Sequence, residues 1–146
     1  MIELRIAEVG DRERVLEWRN DPESIRASMS KEPVAAEMHQ QWFERVLENT
    51  KTKLFVADYH RQPVGMVRAD LQDDGWRLSW IVAPECRGSG FAVPMVREII
   101  GKLDAPASAV VHRDNFRSHV VATKAGMTKE KVVGDWCFYV AREVEK

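Results

Sequence analysis

Trp80-Ile81-Val82-Ala83-Pro84-Glu85-Cys86-Arg87-Gly88-Ser89-Gly90-Phe91-Ala92 is the stretch that decides the fold. An apolar run ends at Pro84, a tight basic turn follows, and the pattern predicts a helix opening near Gly90. Gly88, Ser89 and Gly90 carry little or no side chain, so a ligand can come close to the main chain there. The first N–H groups of a helix have no internal partners and lie at the positive end of its dipole. Arg87 adds a forked cation. The combination is an anion site, and the expected anion is a phosphate or pyrophosphate.

Two common phosphate loops do not fit. A Walker loop needs Gly-Lys-Ser/Thr at its end, and none is present. A dinucleotide fingerprint starting at Gly88 would need Gly or Ala at a third position that Val93 occupies. Arg87-x-x-Gly90-x-Ala92, after a strand ending Val82-Ala83-Pro84-Glu85, resembles instead the acetyl-CoA pyrophosphate loop of the GNAT N-acetyltransferases. Downstream, Asp114-Asn115-Phe116-Arg117-Ser118 leads into Lys124-Ala125-Gly126-Met127. This is similar to the second GNAT signature, in which an Asn ends the fifth strand, a Ser or Ala follows, and a helix closes on Gly-Phe; Met127 stands in for the Phe. The two signatures occur in the order, and with the intervening helix and strand, that such a fold requires.

Composition sets the frame. The 146 residues are 45% hydrophobic and 31% charged, with a net charge of −1, and suit one folded domain over 1–146. That charge gives no bulk attraction to nucleic acid or to an anionic membrane. No apolar run reaches the ~18–20 residues of a membrane span, and Met-Ile-Glu-Leu-Arg at the start does not read as a signal peptide. Cys86 and Cys137 lack metal-type spacing, so a reduced, cytoplasmic setting without a metal is expected. Asp73-Asp74 reads as a turn rather than a base or a metal site.

Periodicity supplies the elements. Ile2–Val9 alternates as a strand, Asp11 is placed to N-cap a helix through Trp18, and Asn20-Asp21-Pro22 ends that helix. A second helix follows Pro33, with Val34, Met38, Trp42 and Val46 on one stripe and His39, Phe43 and Leu47 beside it. Leu54–Ala57, Val64–Ala69 and Trp76–Val82 read as strands, the last two joined through Asp73-Asp74-Gly75. The helix after Gly90 buries Ala92, Met95 or Val96, Ile99 and Leu103. Ala109–Val111 is a strand, Asn115–Ala125 a helix closed by Gly126, and Met127–Val133 and Trp136–Ala141 end the chain as strands. The order βααβββαβαββ predicts an α/β (α+β) architecture, a mixed sheet of six to seven strands with about four helices on its two faces. That is the layout of the GNAT fold, in which the sheet splays between strands 4 and 5.

The resemblance implies a site. Acetyl-CoA would lie in the gap between the splayed strands, with main-chain groups of Trp80, Ile81 and Val82 on its pantetheine arm and Arg87, Gly88, Ser89, Gly90, Phe91 and Ala92 cradling its pyrophosphate. Asn115 and Ser118 would form the other wall. A main-chain N–H near Val82 would polarise the acyl carbonyl, and a neutral amine would attack it directly. Many relatives place a proton-donating Tyr at the position held here by Ala122, and the fourth strand offers Arg77, Ser79 and Ile81 rather than a Glu. Ser118 is then the first candidate for the acid, with Tyr139 and His119 behind it. Cys86 sits beside a helix N-terminus that would favour its thiolate, but it is given no role.

The acceptor is read from the N-terminal half. Trp18-Arg19-Asn20 with His39-x-x-Trp42-Phe43 resembles GNAT enzymes that acetylate aminosugars linked to nucleotides, which would put Arg19, Arg26, His39 and Trp42 on the acceptor. Packing is the simpler reading of a lone His and of most of the five Trp. Asn115-x-x-Ser118 without a Tyr fits the N-terminal acetyltransferases of ribosomal proteins, for which the chain is short. An idle acetyl-CoA-binding sensor or scaffold is the third reading. A small-molecule amine acted on by a monomer or homodimer is the partner expected.

Overall fold

The computed structural model describes residues 1–27 and 32–141. Strand β1 (Ile2–Ile6) is followed by a single 3-10 turn at Val9–Asp11 and by helices α1 (Arg12–Asn20), α2 (Pro22–Ala27) and α3 (Ala36–Glu48). Strands β2 (Thr52–Tyr59), β3 (Gln62–Gln72) and β4 (Gly75–Val82) form a meander. Helix α4 (Ala92–Lys102), β5 (Ala107–His112), α5 (Phe116–Lys124), β6 (Thr128–Val133) and β7 (Trp136–Ala141) complete the described chain. The seven strands make one sheet in the order β1-β2-β3-β4-β5-β7-β6. Every neighbouring pair is antiparallel except β4 and β5. A parallel pair needs a crossover, and α4 provides it.

Each face of the sheet has its own core. On one, α4 contributes Met95, Val96, Ile99 and Ile100, and α5 contributes Ala122, against Val67, Leu78, Ala109, Cys137 and Tyr139. On the other, Val15, Trp18, Phe43 and Val46 of α1 and α3 cover Leu54, Val56 and Met66. Trp76 starts β4 buried, its indole N–H donating to Asp104 Oδ1 at 3.1 Å and its main-chain N–H to Pro106 O at 2.8 Å. Those bonds fix where the crossover returns.

Several expectations need correcting. The first strand stops at Ile6, because the chain tightens into the 3-10 turn before Val9 is reached. Asp11 precedes α1 but makes no side-chain cap. Its buried carboxylate instead accepts from Arg5 (2.7 and 3.0 Å), from Arg14 and from the Glu8 N–H (2.8 Å). Burial pushes this carboxyl up, but the Arg5 and Glu8 hydrogen bonds outweigh that and hold it below its ordinary range. Asn20-Asp21-Pro22 ends α1 as expected, yet Pro22 also opens α2, giving five helices where four were read. The buried stripe of α3 is His39, Phe43 and Val46, while Met38 faces solvent at 68% exposure. On α4, Ile100 joins Met95, Val96 and Ile99 in the core, and Ala92 and Leu103 stay only half-buried.

Candidate active site

The parallel pairing of β4 with β5 covers only Trp76↔Ala107, Arg77↔Ser108 and Leu78↔Ala109. Beyond Leu78, β4 continues through Ser79–Val82 paired only with β3, and β5 continues through Val110–His112 paired only with β7. The two strands therefore diverge into a fork whose facing edges have no strand partner among the described residues. Buried peptide groups left this way need a hydrogen-bonding ligand or water. Alternation sends Trp80 and Val82 to the α4 face and Ile81 to the α1/α3 face, so main chain lines the gap between two apolar surfaces.

The Gly-rich turn closes one end of the fork. Gly88 and Gly90 have φ of 85° and 79°, a left-handed backbone that side chains resist, and a Cβ at either would meet nothing within 4 Å. The N–H groups of Gly88, Ser89, Gly90, Phe91, Ala92 and Val93 donate to no acceptor among the described residues. Pro94, next in the first turn of α4, has no N–H to leave over. Main-chain donors over open space, at the start of an eleven-residue helix, fit a phosphate chain. Arg87 is differently placed: its guanidinium meets Asp21 at 2.7 Å and Glu23 at 2.9 Å instead of standing free beside the turn. A hollow of about 760 Å³ shares Ser89 and Gly90 with the turn, but it lies toward β1, walled by Tyr59, Phe91 and Glu98. Its carboxylate makes it a poor phosphate site. Cys86 is half-buried, and burial together with Glu85 pushes its thiol up, against the thiolate that the helix N-terminus would favour.

Helix α5 follows the free arm of β5. Asn115 is its N-cap, the side-chain oxygen accepting from the Ser118 N–H at 3.2 Å. The Ser118 hydroxyl, half-buried one turn in, makes no hydrogen bond among the described residues. His119 Nε2 lies 3.1 Å from Arg113 O, which can only accept, so Nε2 carries the proton. Its Nδ1 then accepts from the Tyr139 hydroxyl at 2.7 Å, and Tyr139 is buried on β7. Ala122 is fully buried in the core.

The residues read as acceptor contacts scatter more widely. His39 is 3% exposed and its Nε2 lies 2.9 Å from Arg12 O, so it joins α3 to α1 and offers an acceptor almost no surface. Arg26 is exposed on α2, and the segment 28–31 after that helix lies outside the described residues. Trp42 is half-buried and carries the Arg68 guanidinium 5.2 Å from its ring centroid. Arg68 also contacts Asp70 at 2.9 Å, and it pairs across the sheet with Ser79, the first residue of β4 beyond its pairing with β5. Burial, and then the charge of Arg68, hold Arg19 below its ordinary pKa. Arg68 was missed in the sequence reading; a charged residue inside the strand Val64–Ala69 was its one signal. Gly65 was missed as well, and it lets β3 approach β4 so closely that a Cβ there would lie 2.6 Å from the Ile81 carbonyl oxygen.

Among the described residues no helix is long and apolar enough to cross a membrane, and no three His, Cys, Asp or Glu side chains are grouped to hold a metal. The sequence profile of the acetyltransferase (GNAT) domain matches residues 2–128. No curated protein sequence matches the chain. Similar solved structures include spermidine N-acetyltransferase from Vibrio cholerae in complex with CoA and spermine (17% identity, TM-score 0.83, covering 97% of this chain and 95% of that one). Aminoglycoside acetyltransferase AAC(6')-Ib in complex with coenzyme A and kanamycin matches equally (17% identity, TM-score 0.83, 97% and 95% covered). An N-acetyltransferase from Staphylococcus aureus Mu50 follows at 19% identity and TM-score 0.79, with 97% and 98% covered. At these identities the likeness is one of fold, over nearly the whole of each chain. The chain belongs to the GNAT acetyltransferase family.

Proposed function

We propose that this GNAT acetyltransferase moves the acetyl group of acetyl-CoA to the primary amine of a small acceptor bearing negative charge, an aminosugar linked to a nucleotide being the best fit. The observation that carries the acceptor is the Arg68–Trp42 stack beside the β4 arm, with Arg19 close enough for its charge to feel that of Arg68. A flat ring beside guanidinium groups suits a base or sugar carrying phosphate. Asp70 on Arg68 offsets part of this charge, and a polyamine or aminoglycoside bearing several positive charges still suits the place less. Trp42 and Arg19 thus keep the acceptor role given them above, and Arg68 joins them in place of His39.

Acetyl-CoA supplies the activated acetyl thioester. The chain's own work is to align it, to keep the amine neutral and to manage one proton. The free edge of β4 near Val82 can offer an N–H to the acyl oxygen as charge builds on it. Exclusion of water by Trp80, Val82 and the α5 wall disfavours the charged form of an amine held there. We assign Ser118 to proton delivery at the departing sulfur: its hydroxyl is uncommitted within the described residues, whereas that of Tyr139 is given to His119. A cytoplasmic setting and a monomeric or homodimeric enzyme complete the reading.

Thiol release from acetyl-CoA, measured against nucleotide-linked aminosugars, spermidine, kanamycin and N-terminal peptides, tests it. Turnover led by the anionic aminosugars, with Ser118→Ala losing turnover number but keeping acetyl-CoA affinity, is the expected result. Preference for spermidine or kanamycin would overturn the acceptor, and full turnover in Ser118→Ala would remove Ser118 from the chemistry. Acetyl-CoA binding with no turnover on any amine would leave a sensor.

A further inference from the structure

The cation of the Gly-rich turn already has anions on it. Arg87 Nη2 donates to Asp21 Oδ2 at 2.7 Å and lies 3.3 Å from Ser24 Oγ, while its Nη1 is 2.9 Å from Glu23 Oε2. The other oxygen of Glu23 reaches Arg117 Nη1, in the first turn of α5, at 3.5 Å. Asp21, Glu23 and Ser24 belong to the start of α2, so a single cluster joins that helix to the Gly-rich turn and to α5. It holds two guanidiniums and two carboxylates, a formal charge of zero. The same Asp21 Oδ2 accepts from the Glu23 and Ser24 N–H groups at 3.1 and 3.3 Å, which makes Asp21 the N-cap of α2 with Pro22 at the first helical position. The cap of α2 and the cation of the turn share one oxygen.

A phosphate bound by the turn's free N–H groups would come up beside this cluster. Carboxylates and phosphate held around one guanidinium repel each other, and Arg87 contacts both carboxylates through its two terminal nitrogens. Accommodating phosphate charge requires one side to give way. The Asp21 contact is largely shielded (side chains 21% and 17% exposed), but Glu23 is 44% exposed and Arg117 71%, so the Glu23 contacts are the weaker ones.

We infer that Asp21 and Glu23 are built-in counter-anions of the phosphate site and that Arg117 is its second cation, so that phosphate entry takes over both guanidiniums and releases α2 from the turn. This rests on the reading of residues 88–93 as a phosphate cradle. Its consequence reaches across the sheet. Helix α2 directly follows α1, which carries Arg19 of the proposed acceptor wall, so release of α2 on loading of acetyl-CoA is felt at that wall. The coupling is reciprocal: an acceptor that needs α2 displaced tightens the hold on CoA.

The test is calorimetric titration of CoA into the full chain, wild type against Asp21→Asn, Glu23→Gln and Arg117→Gln, with hydrogen exchange of α2 in wild type with and without CoA. Asn caps a helix as well as Asp, so Asp21→Asn removes the charge and keeps the cap. The expected result is affinity raised about three- to tenfold in the Asp21 and Glu23 variants and lowered by a similar factor in Arg117→Gln, with α2 amides exchanging faster when CoA is bound. Unchanged or weakened CoA binding in the Asp21 and Glu23 variants, with slower α2 exchange on loading, would overturn the inference and make Arg87 a structural tether. No CoA binding by the wild type would overturn the phosphate cradle itself, and this inference with it.

Discussion

Replacing Gly65 by Ala tests whether the fork is held at one spacing. The added methyl carbon would lie 2.6 Å from the Ile81 carbonyl oxygen and 2.8 Å from Met95 Cε. Relieving the first contact to about 3.3 Å means moving one or both strands by about 0.7 Å in a region packed like a crystal. Met95 is fully buried, and the Ile81 carbonyl is main chain in a strand, so neither yields freely. Overpacking of this kind costs about 1–3 kcal/mol, from which about 0.5–1 kcal/mol is recovered because Ala suits a strand better than Gly. The net loss of about 1–2 kcal/mol lowers Tm by about 3–6 °C for a chain of this size. Ile81 lies on the free β4 arm, so acetyl-CoA affinity falls too, by about fivefold, or near 1 kcal/mol. Gly101→Ala is the matched control: its Cβ meets nothing within 4 Å in α4, and it should raise stability by up to about 1 kcal/mol. Thermal melts and calorimetry on both variants decide the matter. A Gly65→Ala protein melting with wild type and binding acetyl-CoA as tightly would show that the arms adjust without cost, and the reasoning would fail.

Three further outcomes follow from the same geometry. Gly90→Ala should lose about 1 kcal/mol of stability to its left-handed φ, whereas Gly90→Asn, which tolerates that conformation, should not; both should weaken CoA binding in calorimetry, because both put a side chain where phosphate approaches. Burial holds the imidazolium of His39 below its ordinary pKa of about 6.5, so the unfolded chain takes up the proton first. The stability this residue contributes is complete above that pH and is lost below it, as pH falls through the lower folded value, with a slope of at most about 1.4 kcal/mol per pH unit; urea midpoints at pH 5 and 7.5 should show a larger difference in wild type than in His39→Gln. Asp11→Ala leaves the Glu8 N–H without its acceptor and takes from Arg5 one of its two carboxylates, Asp58 remaining, and should cost about 1–3 kcal/mol in denaturant unfolding, against little for an exposed carboxylate such as Glu13.

The parts of this fold legible in the sequence are those written in local chemistry. Gly88-Ser89-Gly90 before an apolar helix, Asn115 before a second one, and alternation along β4 and β7 each follow from a few neighbouring residues. What escaped depends on partners far along the chain. Asp21-Pro22 reads as a helix end, and it is one, but the same pair is also a cap and first position for α2. Arg87 looks like a free cation until Asp21 and Glu23, more than sixty residues earlier, are seen to occupy it. On α3 the apolar spacing offered two adjacent stripes, and the buried face takes Val46 from one and His39 and Phe43 from the other. His39 can take the buried place of an apolar side chain because the Arg12 carbonyl satisfies its ring, a pairing no periodicity contains. Gly65 sits in a strand where glycine has no local reason, and only the approach of β4 supplies one.

Asn20 grips Val34 at both of its main-chain polar groups, accepting from its N–H at 2.6 Å and donating to its C=O at 2.8 Å. The two ends of the intervening excursion are thereby fixed to each other by one side-chain amide, independently of what the excursion contains. Loop closure grows only slowly costlier with length, about 0.6 kcal/mol per doubling. A clasp of this kind ties the end of α1 to the approach to α3, so the two helices that cover one face of the sheet keep their spacing through a single amide side chain.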